Sequence, residues 1–285
     1  MTAEKPALRV KSGTEDFSEF IRKGYYYVDK TQYLRPIFEA ADAPLLILRP
    51  RRFGKTLMMS TLRHFLEMDY DNPTDTSKPR ELFKGLKVSE DQEFCEANMG
   101  RHPVVSVSLK DAGQTTFQNS RRMLAMAVWK LSNQYEWLKN SPKLNDGEKE
   151  FLDDLLNRKL LCRVDGESDG VLQTSLSMLC QLLHKHCGLK PVLLIDEYDV
   201  PLQYAAMNHF YDQMIEIIKP LFSVLLKTNP DVSKGILTGC LRATKEGIFT
   251  GLNNYTVNSV LTQNRILCTA LGFTPDEVKE SLSAF

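Results

Sequence analysis

The sequence predicts an α/β protein in which a mainly parallel five-stranded sheet lies between two layers of helices. Five short apolar or β-branched runs alternate with segments of helical periodicity along the 285 residues, which is the order expected of a parallel sheet. Two of these runs end in polar or acidic residues, as buried parallel strands often do at their carboxyl ends. The chain is 42% hydrophobic and 25% charged, so it can bury an ordinary core.

The first predicted strand, residues 44–48, leads into a loop of the kind that binds phosphate. Residues 49–56 read RPRRFGKT, and residues 57–68 have the periodicity of an amphipathic helix. A Gly-Lys-Thr at the start of a helix predicts a triphosphate site, because loop N–H groups and the helix N-terminus attract anions. Lys55 is expected to reach the β- and γ-phosphates, and Thr56 to offer its hydroxyl to Mg²⁺.

The other loop residues depart from the general phosphate-loop pattern. That pattern, G-x-x-x-x-G-K-[ST], has a glycine where this chain has Arg49. Phe53 and Gly54 complete the predicted nucleotide-binding loop, and Arg51 and Arg52 either neutralise phosphate charge or extend into solvent. The tripeptide alone leaves an ordinary strand–turn–helix with a basic turn as the alternative.

The segments around this motif are predicted to be structural. Residues 1–16 form a polar N-terminal tail, and residues 25–28 (YYYV) are β-prone. We expect this aromatic run to pack under the sheet as a strand, the alternative being a position beside a nucleotide base. We predict a loop-rich insertion over residues 70–101, with a short helix near 92–98, and a second strand over residues 103–109.

Residues 112–188 form a predicted helical block. Apolar residues recur at helical spacing within 116–139, 147–160 and 171–187, and a polar break precedes the last of these. We interpret this block as packing structure rather than catalytic machinery. Residues 1–285 are accordingly expected to form a single domain.

A second motif, at the end of the strand predicted over residues 191–197, supplies carboxylates. The apolar run PVLLI is followed by Asp196 and Glu197. An ATPase of the phosphate-loop class needs a strand-end carboxylate for Mg²⁺, and many add a group that positions the attacking water. Asp196 is therefore the predicted metal-binding residue and Glu197 the predicted general base. Asp199 either caps the next helix or lies behind the metal ligands.

The last third of the chain adds two candidate residues. Residues 203–228 have the periodicity of one long helix, 234–239 predict a buried strand, and 255–261 predict the last strand. Thr238, at a strand end, is predicted to sense the γ-phosphate. Arg242 either contacts the γ-phosphate, in its own or a neighbouring subunit, or is an exposed loop arginine.

Composition limits the classes of partner. Lys and Arg number 36, equal to Asp and Glu at 36, so net charge gives no general attraction to nucleic acid or anionic membranes. No apolar run reaches the ~18 residues of a membrane span. Six cysteines form no C-x-x-C pair, which favours reduced thiols and a cytoplasmic, intracellular location.

Several stretches of the chain resemble the AAA-ATPase-like family of bacteria and archaea. They are YYVDKT at 26–31, RPRRFGKT at 49–56, VLLIDEYDVPL at 192–202, TG at 238–239, residues 242–245, IFTGLNN at 248–254 and GFT at 272–274. The similarity runs from about residue 17 to the end. The arginine-rich loop is the form that this family uses, so Arg49 does not count against nucleotide binding.

The resemblance implies a phosphate-loop (P-loop) NTPase fold of the additional-strand, catalytic-glutamate class, AAA-like in its three αβα layers. It also implies ATP and Mg²⁺ as cofactors and gives Lys55, Thr56, Asp196 and Glu197 the roles described above. Such proteins typically continue into a PD-(D/E)xK nuclease-like domain. That domain would begin where this chain ends, at Phe285, and is therefore expected to be missing here.

Three functions remain open from the sequence. The leading hypothesis is an ATP-binding and ATP-hydrolysing module that gates or drives a nuclease-like domain or another protein partner, with an oligomer as one option. The second is a nucleotide-binding or protein-interaction module without hydrolysis. The third is an ATP-dependent protein that acts on DNA, with nucleic acid contacted only indirectly by this part and no membrane involved.

Overall fold

The computed structural model describes residues 13–226, 229–240, 256–259 and 265–283. Its centre is a five-stranded sheet in which all neighbouring strands are parallel, in the order β2-β3-β4-β1-β5. The strands are β1 (Leu45–Leu48), β2 (Val104–Ser108), β3 (Val192–Asp196), β4 (Lys234–Gly239) and β5 (Thr256–Asn258). The predicted α/β class and five-stranded sheet are thus confirmed.

The register aligns the carboxyl ends of the strands. Leu48 of β1 pairs with Gly239 of β4, and Ser108 of β2 pairs with Asp196 of β3. The loops that leave β1, β3 and β4 therefore emerge at one edge of the sheet. This is the edge where open α/β sheets bind ligands.

Helices cover both faces of the sheet. In chain order they are α1 (Phe17–Arg22), α2 (Leu34–Glu39), α3 (Lys55–Leu66), α4 (Ser77–Leu82), α5 (Gln92–Asn98), α6 (Phe117–Asn133), α7 (Asp146–Leu156), α8 (Arg158–Leu161), α9 (Gly166–Cys187), α10 (Val200–Met207), α11 (Tyr211–Leu221), α12 (Ser223–Leu226), α13 (Arg265–Thr269) and α14 (Pro275–Ser283). No helix within the described ranges is both long enough and apolar enough to cross a membrane.

The strands divide their side chains between two apolar clusters, because successive residues of a strand face opposite sides. Ile47 and Leu194 pack in the cluster that holds the apolar face of α3. Leu193 and Ile195 pack in the other cluster, with α6, α9 and α11. In β1, β3 and β4 the polar side chains are Lys234 at the amino end of β4, and Asp196 and Thr238 at or beside the carboxyl ends of β3 and β4. The candidate chemistry is therefore at the carboxyl edge of the sheet.

The prediction of a single long helix over residues 203–228 is wrong. The chain forms α10, α11 and α12 there, and His209 lies in the left-handed region with φ 62° between the first two. The break contains neither glycine nor proline, and the buried Phe210 continues the apolar pattern through it. Periodicity alone therefore gave no sign of the interruption.

Other boundaries differ for local reasons. Residues 25–28, predicted to be a strand, form no strand of the sheet: Tyr25 lies in an isolated bridge and residues 26–28 are irregular. Tyr27 packs edge-on against Phe17 at 5.5 Å. Helix α9 begins five residues before the predicted 171, since the Asp165 side chain caps it by accepting from Ser168 N at 3.0 Å. The pattern at 116–139 ends as an α-helix at Asn133 and continues as a 3₁₀ turn.

Candidate nucleotide-binding site

The loop between β1 and α3 has the backbone of an anion site. Gly54 adopts the left-handed conformation, with φ 79° and ψ 17°, immediately before Lys55 begins α3. No side chain caps the first turn of this helix, and Arg51 to Gly54 are exposed. The N–H groups at the helix start are therefore available to a phosphate, together with the positive end of the helix dipole.

Asp196 joins the three parts of the site. Its Oδ2 accepts a hydrogen bond from the Thr56 hydroxyl at 2.7 Å, and its Oδ1 accepts one from the Thr238 hydroxyl. Asp196 is 4% exposed and Thr238 is 1% exposed. One carboxylate thus links the start of α3 to the ends of β3 and β4, as the sequence predicted for residues at adjoining strand ends.

Lys55 is directed along the same edge. Its side chain is 3% exposed, and its Nζ lies 3.4 Å from Glu197 Oε1 and 3.3 Å from Pro50 O. It also lies 3.3 Å from Cys240 Sγ, the residue that follows β4. The ammonium is therefore held beneath the loop by one carboxylate and two weaker acceptors, all at the carboxyl edge of the sheet.

Glu197 has an unusual backbone conformation and a shifted side-chain pKa. Its φ is 52°, a left-handed conformation that a non-glycine residue adopts at a cost of order 1 kcal/mol or more. Burial raises the pKa of its carboxyl above the ordinary value; neighbouring Lys55 opposes this rise and Asp196 adds to it. A strained, partly buried carboxylate with a raised pKa at a strand end has the properties of a general base.

The segment after β3 is fixed by Asp199 and Gly239. Asp199 Oδ2 accepts from Cys240 N at 2.9 Å, so its side chain ties this turn to the end of β4. Asp199 occupies the predicted N-cap position of α10, but its side chain makes no capping hydrogen bond there. A Cβ on Gly239 would lie 2.5 Å from Tyr198 Cε1, so only glycine allows the two turns to approach so closely.

Arg49 replaces the first glycine of the general loop pattern, and its side chain is turned into the protein interior. Its side chain is 2% exposed and donates to Leu48 O at 2.8 Å, Asn258 Oδ1 at 2.7 Å and Leu267 O at 3.1 Å. Burial lowers the pKa of its guanidinium. Arg49 therefore anchors the loop to β5 and to α13, a role that the local sequence pattern did not reveal.

The structure brings together most, but not all, of the predicted site residues. Lys55, Thr56, Asp196, Glu197 and Thr238 form one connected group. The basic and aromatic loop residues are peripheral to it: Arg51 and Arg52 are exposed, and Phe53 packs on Gly272. Arg242 lies outside the described residues. Cys240 was missed because nothing in its sequence neighbourhood distinguishes a thiol that contacts Lys55.

The donor set suits a magnesium ion that is shared with phosphate. No group of three or more His, Cys, Asp or Glu side chains within the described ranges could hold a metal by itself. Magnesium is typically bound by one or two protein oxygens together with phosphate oxygens and water. The Thr56 hydroxyl and the Asp196 carboxylate, 2.7 Å apart, supply such a pair of oxygen ligands.

Strand order, loop and paired acids together define a fold of the P-loop NTPase type. A family model described as predicted AAA-ATPase matches residues 11–249, so the chain belongs to that AAA-ATPase-like family. Membership supports nucleotide binding in general terms, and the matched region includes both motifs.

One curated relative illustrates the reach of the similarity. It is described as an uncharacterized protein in the vnfD 5′ region of Azotobacter chroococcum mcd 1, and it is 26% identical over 269 residues. The alignment covers 93% of this chain and 43% of the relative, so the chain spans less than half of that protein's length. No solved structure matches the chain.

Proposed function

We propose that this chain binds ATP with Mg²⁺ and hydrolyses it. One observation carries the proposal: the candidate side chains meet at one edge of the sheet, beside the start of α3, whose N-cap is Gly54. They are Lys55, Thr56, Asp196, Glu197 and Thr238. Phosphoryl transfer requires little covalent chemistry from a protein. It depends on positioning and on charge stabilisation, which this set of residues can supply.

Each residue has a role that its contacts support. Lys55 binds the β- and γ-phosphates, after exchanging its contact with Glu197 for the more highly charged phosphate. Thr56 and Asp196 would hold the metal, which when bound would offset the negative charge of the phosphates. The Thr238 hydroxyl donates to Asp196 and so links the end of β4 to the proposed metal ligand. In this proposal Thr238 senses the γ-phosphate through that link.

Glu197 acts as the general base in this proposal. Its carboxylate accepts a proton from the attacking water, and its raised pKa brings it closer to the proton affinity that such a base needs near neutral pH. The ion pair with Lys55 holds the carboxylate when no phosphate is present. Arrival of the triphosphate would therefore release the base as it captures the lysine.

The activity is proposed to gate or drive a partner. Contacts that depend on the γ-phosphate differ before and after hydrolysis, and a difference of that kind can bias a two-state element. The partner class that the family resemblance suggests is a nuclease-like domain. The alignment covers 43% of the longer relative, which leaves a further region in that protein. Arg242 is proposed to contact the γ-phosphate in its own or a neighbouring subunit.

The test combines binding with turnover. Thermal unfolding and phosphate release should be measured with ATP, with and without Mg²⁺, for the natural chain, for Lys55→Ala and for Lys159→Ala, an exposed control lysine. We expect MgATP to raise Tm and to release phosphate in the natural chain and the control, but not in Lys55→Ala.

Two other outcomes would change the proposal. Stabilisation by MgATP without phosphate release would favour a nucleotide-binding module that does not hydrolyse. An unchanged Tm at millimolar MgATP would contradict nucleotide binding altogether.

A further inference from the structure

Ser108, at the carboxyl end of β2, lies beside the candidate site, and none of the roles proposed above uses it. It pairs with Asp196 in the register of β2 and β3, and the next residue, Leu109, donates its N–H to Asp196 O at 2.9 Å. The end of β2 is therefore fixed against the strand end that carries the proposed metal ligand.

The ends of β2, β3 and β4 place polar side chains on one face of the sheet. Residues paired in neighbouring parallel strands face the same side, and successive residues alternate between the two sides. Val104 and Val192 pack in the apolar cluster that contains α3, and Ser108 and Asp196 follow them by four residues each. Thr238 donates to Asp196 from the same face. Ser108, Asp196 and Thr238 therefore form a row on the α3 side of the sheet.

Ser108 is the member of this row whose side chain has no hydrogen bond. Its Oγ is buried, and no atom of the described residues donates to it or accepts from it. Buried polar groups are nearly always paired, and an unpaired one costs free energy. Ser106 Oγ, two residues earlier on the same face, is not such a buried and unpaired atom. The feature is thus particular to the serine beside Asp196.

A magnesium ion at Thr56 and Asp196 would bring a partner for this hydroxyl. Magnesium keeps several waters when it is bound by one or two protein oxygens and by phosphate. Such waters donate hydrogen bonds, and a serine oxygen can accept them. The Asp196 oxygens already accept from Thr56 and Thr238, whereas Ser108 Oγ is an acceptor that no described residue uses.

We propose that Ser108 is a positioning residue for the hydrated magnesium ion. Its Oγ accepts a hydrogen bond from a water that the ion retains when Thr56 and Asp196 hold it. The proposal rests on the nucleotide-binding function proposed above and adds β2 to the elements that build the site. Groups that orient a metal's ligands from behind typically change metal affinity by about 10- to 100-fold when they are removed.

The same hydroxyl is unfavourable in the nucleotide-free protein. Ser108→Ala removes a buried polar atom without breaking a hydrogen bond to any described residue. The Tm of the free variant should therefore equal or exceed that of the natural chain. A hydroxyl that served only to hold the fold together would give the opposite result, so this measurement separates the two roles.

The test compares binding with and without the metal. Affinities for MgATP, and for ATP in excess EDTA, should be measured by calorimetry for the natural chain, Ser108→Ala, Ser108→Thr and Ser106→Ala. We expect Ser108→Ala to weaken MgATP about tenfold and to change metal-free ATP by less than about twofold. Ser108→Thr keeps the hydroxyl on a residue that suits a strand, so it should bind like the natural chain, as should Ser106→Ala.

Several results would overturn the proposal. They are an unchanged MgATP affinity in Ser108→Ala, an equal loss of ATP affinity with and without magnesium, and an equal loss in Ser108→Thr. A free Ser108→Ala with a Tm well below that of Ser106→Ala would also overturn it, because the hydroxyl would then have a partner in the free protein. Failure of the natural chain itself to bind MgATP would instead refute the underlying nucleotide function.

Discussion

Replacing Arg49 by glycine restores the general phosphate-loop pattern and should nevertheless destabilise the protein. The guanidinium is the donor to Leu48 O, to Asn258 O and Oδ1, and to Leu267 O, and it is almost fully buried. The glycine variant keeps the backbone bond from residue 49 N to Gly239 O, which is 3.1 Å long. The loss is therefore confined to the side chain.

The size of the effect follows from the acceptors left behind. A buried acceptor without a donor costs about 1–3 kcal/mol. Counting only Asn258 Oδ1 and Leu267 O, the free energy of unfolding should fall by about 2–6 kcal/mol. For a chain of this size each kcal/mol lowers Tm by about 2–4 °C, so a loss of at least about 4 °C is expected.

The assay is thermal unfolding of Arg49→Gly beside Arg51→Gly. Arg51 is an exposed residue of the same loop, so its glycine variant controls for added backbone freedom and should lie within about 1 kcal/mol of the natural chain. Equal Tm losses in the two variants would refute the anchoring role. A stable Arg49→Gly that fails to bind MgATP would show that Arg49 contacts phosphate instead.

Three further predictions concern pH and close packing. Hydrolysis should fall as pH drops through the raised pKa of Glu197, because the base must be deprotonated, so the acidic limb of the rate profile should lie above the ordinary value of 4.5. Gly239→Ala should lower the free energy of unfolding by about 1–3 kcal/mol in a urea titration, because its Cβ would lie 2.5 Å from Tyr198, whereas Gly166→Ala, with open space, should not. Burial lowers the pKa of His102 from 6.5 to about 4, so between these pH values the imidazole is protonated in the unfolded chain but not in the folded one. The free energy of unfolding should therefore decrease as pH falls from about 6.5 to 4, and His102→Gln should remove that part of the decrease.

The sheet and the positions of the four central residues of the candidate site were predictable because they depend on short-range sequence patterns. An apolar run that ends in two acids is a buried strand whatever surrounds it, and Asp196 and Glu197 follow from it. A Gly-Lys-Thr that opens an amphipathic helix likewise places Lys55 and Thr56. Parallel pairing then brings the strand ends together, since all of them face one edge.

The supporting contacts were not predictable, because their partners are distant in sequence. Arg49 donates to Asn258 and Leu267, which follow it by 209 and 218 positions. Lys30 donates to Glu277, which follows it by 247 positions. No local pattern shows whether an arginine in a loop turns inward or outward. The break at His209 was missed for a different reason, since a left-handed residue without glycine or proline leaves the apolar periodicity intact.

The central claim is that Glu197 activates water at a site that binds MgATP, and Glu197→Gln tests it most directly. The amide keeps the size of the side chain but cannot accept the proton. Retained MgATP should be measured by filter binding and phosphate release by a coupled assay on the same sample. We expect affinity within about threefold of the natural chain and hydrolysis reduced by about 10² or more. Unchanged hydrolysis in Glu197→Gln would contradict the claim.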